Sequence, residues 1–365
     1  MPSASIPAFP EDVPTVPLLV IDYERIKAND EAEIDRLWKA STELGFWYLK
    51  NHGADEEVAS MFELGAETMQ LPLAEKIKFE QGNDGNSFGY KAAGANATDE
   101  TGALDRVEFI NVSKDDALSY PTPVHRTYPS TVTSKMETVV TPFVRKAIDV
   151  NGTIINVFNK RLGLPEGTLA NLHQIDKPSG SEARCIKTPK DRRTSPDKAM
   201  LGAHTDFGSL SFLHHNRLGG LQVMLPGTED WKYVKPIPGH AICNIGDTLT
   251  VFSGGILRSN LHRIVYVVFL SRYRHPGAHL TFLSRPPPKA QSAFERWSVV
   301  FFTRPDFTKN LAPLTKESAI IAEAVSRAPE GKFDTGAIAG QWYTRRMKYQ
   351  RIANRTVSLY SRIRR

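Results

Sequence analysis

Apolar positions in this chain follow two rhythms. In the N-terminal half they recur mainly at helical spacing; further on they gather in short runs broken by Gly, Pro and Asp. Asp30 to Leu44 carries Ile34, Leu37, Trp38 and Leu44 on one helical face, with acids in its first turn, and Gly45 stops it. Glu56 to Leu71 predicts a second helix, ended before Pro72. Ser134 to Leu162 predicts a long third one, closed by Gly163 and Pro165. Short strands are expected at Pro17 to Asp22, Phe46 to Leu49 and Val107 to Val112. The Gly- and Asn-rich stretch Gln81 to Ala97 reads as a loop.

Beyond Arg184-Cys185-Ile186-Lys187 the rhythm changes. Pro189 to Ala199 is polar and reads as an exposed loop, and strands are expected in succession from Met200 to Thr303. Ser211-Phe212-Leu213, Gly219 to Val223, Ala241 to Ile245 and Val299 to Phe302 read as buried strands of a sandwich or barrel. Helices are expected again at residues 315 to 326 and from Thr335 to Ile352. Helices with strands, then strands, then helices predict an α+β fold with a closed β core.

Composition narrows the function classes. A chain of 365 residues, 41% apolar and 24% charged, is a soluble protein of one large or two smaller domains. Much of the +6 net charge gathers late, in Arg345-Arg346-Met347-Lys348 and Ser361 to Arg365. That pattern reads as a solvated basic tail, and no nucleic-acid-binding motif accompanies it. Two cysteines, Cys185 and Cys243, fit a reducing compartment without a disulfide scaffold. The first ten residues lack the basic and apolar regions of a signal peptide, and no apolar run reaches the ~18 residues of a membrane span. The expectation is a cytoplasmic monomer acting on a small molecule, with no membrane or nucleic-acid partner.

The candidate chemistry lies in Leu201-Gly202-Ala203-His204-Thr205-Asp206-Phe207-Gly208 and Ser259-Asn260-Leu261-His262-Arg263. In an extended segment, positions i and i+2 project to one side, so His204 and Asp206 can grip one ion, with His262 arriving from another strand. Two imidazoles and a carboxylate suit Fe(II) with open coordination positions, whereas Zn(II) prefers closed nitrogen and sulfur sites and Mg(II) or Ca(II) oxygen ligands. The other histidines fit a metal less well. His214 and His215 are adjacent, so they face opposite ways on a strand. Pro276 and Gly277 separate His275 from His279, and His52 sits in a turn. Arg296-Trp297-Ser298 places a guanidinium fork and a hydroxyl side by side, a clamp for a carboxylate. No glycine-rich phosphate loop or serine-hydrolase elbow is present.

With these residues the chain resembles the iron- and 2-oxoglutarate-dependent dioxygenases of the isopenicillin N synthase-like superfamily. Val16 to Asp22, Leu44 to Gly53 and Leu71 to Lys76 are similar to that superfamily's N-terminal region, and Arg258 to Arg263 is worded most like its fungal members. The resemblance implies a double-stranded β-helix (jelly-roll) core flanked by helices. It implies an N-terminal dioxygenase region over 14–135, a catalytic domain over 180–310 and a helical extension over 311–365. It also implies Fe(II) on His204, Asp206 and His262, with Arg296 and Ser298 on the distal carboxylate of 2-oxoglutarate. O2 is the co-reactant, and a small organic molecule of specialised metabolism is oxidised at a C–H bond. A non-catalytic ligand-binding descendant and a 2-oxoglutarate-independent oxidase are the alternatives.

Two departures from the family pattern stand out. Where many members carry a tyrosine touching 2-oxoglutarate, this chain has Ile186, Lys187 and Thr188, and Lys187 can face either pocket or solvent. Arg296 also follows His262 by 34 positions, far more than in relatives. Residues 266–285 mix apolar runs with Arg and His and show neither strand nor helix periodicity. They read as an insertion outside the core, as from an intron translated in frame, with a functional lid as the rival.

Overall fold

The computed structural model describes residues 6–98, 103–190, 199–265 and 289–355. The expected insertion 266–285, His275, His279 and most of the 189–199 loop lie outside them. Twelve strands are described: β1 (Val20–Asp22), β2 (Phe46–Lys50), β3 (Gly89–Lys91), β4 (Glu108–Ser113), β5 (Glu182–Thr188), β6 (Ala199–His204), β7 (Leu210–His215), β8 (Leu221–Met224), β9 (Trp231–Tyr233), β10 (His240–Ile245), β11 (His262–Val265) and β12 (Arg296–Thr303).

They form two sheets. The smaller has the order β6-β11-β8-β9 and is antiparallel throughout. The larger has the order β1-β2-β10-β7-β12-β5-β4-β3, and its middle four strands, β10-β7-β12-β5, are also antiparallel. Four strands facing four make the jelly-roll core. β2 and β4 extend the larger sheet on either side with strands from the N-terminal half.

Both faces of the larger sheet are buried, which explains its continuous apolar runs. On one face Cys185, Phe212, Val299 and Phe301 join the helices Glu31–Glu43, Asp55–Gln70 and Thr141–Arg161 in the main core. On the other, Phe46, Tyr48, Phe109 and Ile242 meet Leu221, Val223 and Ile264 of the smaller sheet. Asp30 caps the helix Glu31–Glu43 by accepting from the Glu33 amide at 3.1 Å. Gly45, at φ +78°, turns the chain out of it, and a Cβ there would lie 2.0 Å from the Arg258 carbonyl oxygen.

Several elements differ from expectation. The segment expected to be a 29-residue helix starts as a π-helical turn, Met136–Val140, and becomes α-helical at Thr141–Arg161. Pro142 lies at the junction, where it has no amide to donate back into the preceding turn. The 81–97 loop contains β3, and the run of catalytic strands is interrupted by the helix Asp247–Phe252. The C-terminal helices begin later than expected, at Ala319–Ser326 and Ala339–Gln350. On the last of these Arg346 pairs with Asp247 at 3.2 Å, so part of the basic cluster is engaged with the fold. Cys185 and Cys243 are free and buried. Among the described residues no helix is long and apolar enough to cross a membrane.

Candidate active site

The antiparallel register of β6 and β11 sets His262 directly opposite His204. Their rings lie 4.3 Å apart, and the Phe46 ring meets the His262 ring edge-on at 5.3 Å. Asp206 follows the end of β6. Its Oδ1 is 3.8 Å from His204 Nε2 and 3.7 Å from His262 Nε2. One donor atom from each residue therefore converges, all within 4.8 Å of one another, the only such group among the described residues.

The other donor atoms are all occupied. His204 Nδ1 donates to the Gly202 carbonyl at 2.8 Å, and His262 Nδ1 to the Asn260 carbonyl at 3.2 Å. A carbonyl can only accept, so both rings carry their proton on Nδ1 and present a lone pair on Nε2. Asp206 Oδ2 accepts from Asn244 Nδ2 at 2.8 Å and Ser211 Oγ at 2.5 Å, leaving Oδ1 for the shared point. The backbone is tied as well: the amides of Asp247 and Thr248, at the start of a helix, donate to the carbonyls of Asp206 and Gly208 at 2.7 and 3.0 Å.

Electrostatics follow this geometry. Burial alone would raise the Asp206 carboxyl, but His262, His204 and the bonds from Asn244 and Ser211 bring it down to about 2. Burial, then the neighbouring His262, pushes His204 down to about 4. The site thus holds an ionised carboxylate and a neutral imidazole at neutral pH, the donor forms a divalent metal needs. This donor set, oriented from behind and open in front, fits Fe(II).

The three residues line a cavity of about 300 Å³ between the two sheets, together with Arg296 and Ser298. Along β12, Arg296, Ser298, Val300 and Phe302 face the cavity, while Trp297, Val299 and Phe301 face the helices. Arg296 is buried; its Nε donates to the Gly219 carbonyl at 3.1 Å and its Nη1 to Ser298 Oγ at 3.4 Å. Opposite Arg296 on β5 stands Thr188, whose buried hydroxyl faces the same cavity and has no hydrogen-bond partner among the described residues. Thr188, Ile186 and Arg184 alternate into the cavity, which sends Lys187 to the other face. There Lys187 pairs with Glu108 at 3.4 Å and Glu295 at 3.7 Å. Asn96, Ala97 and Thr98 from the 81–97 segment and its end, and Gln350 from the last helix, complete the wall.

The remaining described histidines are elsewhere. His214 packs among His52, Phe212 and Phe143, and His215 Nδ1 accepts from the Arg217 amide. In the sequence Asn244 reads as part of the buried run Ala241 to Ile245; in the structure it orients Asp206. Ser211 reads in the sequence only as strand. The signal for both is alternation: each lies on the cavity-facing phase of its strand.

Two family models match the chain: a non-haem dioxygenase in morphine synthesis N-terminal region over residues 18–134, and the 2OG-Fe(II) oxygenase superfamily over residues 183–305. A homoarginine-6-hydroxylase of Oryza sativa subsp. japonica is 31% identical over 255 residues, covering 65% of this chain and 75% of its own. A 2-oxoglutarate-dependent dioxygenase of Aspergillus fumigatus is 26% identical and covers 92% of this chain and 86% of its own. Among solved structures, a full-length Neurospora crassa protein in complex with alpha-KG superposes with a TM-score of 0.69 at 20% identity, covering 94% of this chain and 99% of that one.

Proposed function

Because the chain belongs to the 2OG-Fe(II) oxygenase superfamily, we propose that His204, Asp206 and His262 hold its Fe(II), while Arg296 and Ser298 hold the distal carboxylate of its 2-oxoglutarate. The enzyme is a 2-oxoglutarate-dependent dioxygenase; the substrate is a small organic molecule of specialised metabolism, oxidised at a C–H bond in the cytoplasm. The buried free thiols of Cys185 and Cys243 support a reducing compartment.

The observation that carries the residue assignment is the convergence of His204 Nε2, His262 Nε2 and Asp206 Oδ1 while every other donor atom of the three is held by protein. When bound, Fe(II) with 2-oxoglutarate supplies the oxidative chemistry, in which O2 is consumed and succinate and CO2 are formed. The chain's own part is positional. Gly202 and Asn260 keep the imidazoles in one tautomer. Asn244 and Ser211 stop the Asp206 carboxylate from turning. Arg296, steered by Gly219, offers its fork to a dianion that would be costly to bury unpaired, and the Thr188 hydroxyl stands across the strand pair to add a further donor.

The test is anaerobic addition of Fe(II) and 2-oxoglutarate, followed by the weak visible charge-transfer band of the chelate. The band should form with the wild-type protein and be absent from Asp206→Ala. Under O2, succinate should form. O2 consumption without succinate would indicate a 2-oxoglutarate-independent oxidase, and neither band nor succinate a non-catalytic binder.

A further inference from the structure

Two more arginines enter the same cavity from the larger sheet and the strand end after it. Arg184 lies on β5, two positions before Ile186 and on the cavity-facing phase; Arg304 follows β12. Arg184 is held in place: Nε donates to Asn111 Oδ1 at 2.7 Å and Nη2 to Glu182 Oε1 at 2.8 Å. Its guanidinium sits over the rings of Phe109 at 4.2 Å and Phe302 at 4.9 Å. No hydrogen bond engages its Nη1 among the described residues, and the side chain keeps 15% of its area open. Arg304, 6% exposed, donates from Nη1 to the Gly180 carbonyl and from Nη2 to Glu182 Oε1, while its buried Nε has no partner among the described residues.

The charges do not balance. Glu182 is fully buried and serves both arginines through one oxygen, while its other oxygen accepts from Ser87. Two fixed guanidinium charges therefore share one carboxylate. Asp206 does not supply the second, because it is directed to the metal point. A divalent ion, Asp206, the 2-oxoglutarate dianion and Arg296 sum to zero, and within this group of described residues the trio Arg184, Arg304 and Glu182 carries one net positive charge beside the cavity. An uncompensated charge away from water is costly, and a bound anion relieves it. A purely structural arginine pair would have its donors filled by the fold.

We propose that the substrate is an organic acid with an apolar body, and that Arg184, backed by Arg304, receives its anionic group. This deepens the oxygenase reading above and rests on it. Phe46, Phe109, Phe207 and Phe302 line the cavity and supply the apolar wall against which the body of the acid would lie.

The test is calorimetric titration of the protein loaded with Mn(II) in place of Fe(II), at saturating 2-oxoglutarate, so that no turnover occurs and the Arg296 clamp is filled. The probes are 3-phenylpropionate, its neutral amide and the matched cation 3-phenylpropylamine. In the wild-type protein the acid should bind at least about tenfold tighter than the amide, and the amine most weakly. In Arg184→Gln the acid-to-amide ratio should fall to within about twofold, with Arg184→Lys intermediate because it keeps the charge but not the fork. The wild-type series stands by itself if Arg184→Gln does not fold. Equal binding of acid and amide, no measurable binding of the acid, or an unchanged ratio in folded Arg184→Gln would each overturn the proposal. Titration of 2-oxoglutarate alone into the Mn(II) protein separates the two levels: if it does not bind, the cofactor reading itself fails.

Discussion

Asp206 has two carboxylate oxygens with two different jobs, and its neighbours decide which is which. Asn244 and Ser211 hold Oδ2, so rotation of the carboxylate is restrained before any metal arrives. Removing the amide in Asn244→Ala should weaken metal binding about 10–100-fold while leaving the three donor residues in place, since partners behind metal ligands typically contribute that much. Metal titration monitored by tryptophan fluorescence checks this, with Asp206→Ala as the reference for total loss; an affinity matching wild type would show that the carboxylate needs no support. Arg296 makes a different kind of contribution. Arg296→Ala leaves a buried carboxylate of 2-oxoglutarate without its charged partner, a loss of about 3–5 kcal/mol, and should raise the 2-oxoglutarate KM by two orders of magnitude or more. Arg296→Lys should recover only part, because the ammonium cannot make the two-pronged contact and loses the bond from Nε to Gly219. An unchanged KM in Arg296→Ala would move the clamp to another cation.

The strands act through alternation and close approach. Gly202 on β6 lies where a Cβ would come within 1.5 Å of the Thr98 carbonyl oxygen, so only glycine lets the 94–98 segment reach the cavity wall. Gly202→Ala should push that segment away and destabilise the fold by about 1–3 kcal/mol, the usual range for overpacking. A melting temperature equal to wild type would contradict it. Behind the sheet, His52 and His214 pack against Phe212, and His214 also meets Phe143 of the long helix. Burial is the first cause that lowers both imidazoles, His214 well below 6.5. The unfolded chain takes up protons at these sites as pH falls through 6.5, and the folded chain does not. Stability is therefore level above that pH and declines below it, by at most about 1.4 kcal/mol per pH unit for each such group. The melting temperature should drop between about pH 7 and about pH 5.5, and His214→Phe should shrink the drop. A wild-type melting temperature that stays flat across this window would refute the assignment.

At the scale of the whole molecule, the sequence reveals what is periodic or chemically rare and hides what depends on register. His204-x-Asp206 by itself is a weak signal; the donor set becomes legible through its context, the apolar runs around it and the Arg296–Ser298 pair further on, and the buried strands are legible as apolar runs. The direction of Lys187 is not, because a strand assignment alone leaves its phase open until Arg296 pairs with Thr188. The support from Asn244 is hidden for the same reason: β10 reaches Asp206 only through the pairing of the larger sheet. The helix Asp247–Phe252 is missed because its six residues are too short for periodicity to show, and its first amides are satisfied by the Asp206 loop, not by a local cap. The last question at this scale is what residues 266–285, outside the described part of the chain, contribute. The hydrogen bonds that orient His204, Asp206 and His262 come from Gly202, Asn244, Ser211 and Asn260, none of which lies in that stretch. β11 ends at Val265 and β12 begins at Arg296, so joining Val265 to Pro286 removes 20 residues and still leaves a connection between the two sheets. Loop-closure entropy grows only logarithmically with length, so lengthening or shortening this connection changes stability little. Tyr266-Val267-Val268-Phe269-Leu270 is also the kind of apolar, uncharged segment that promotes association when it is exposed during folding. A variant lacking residues 266–285 should therefore be at least as soluble as the full chain and bind 2-oxoglutarate with the same affinity. Soluble yield and calorimetric titration measure the two properties. Loss of folding or of 2-oxoglutarate binding on deletion would make the segment an integral part of the active enzyme.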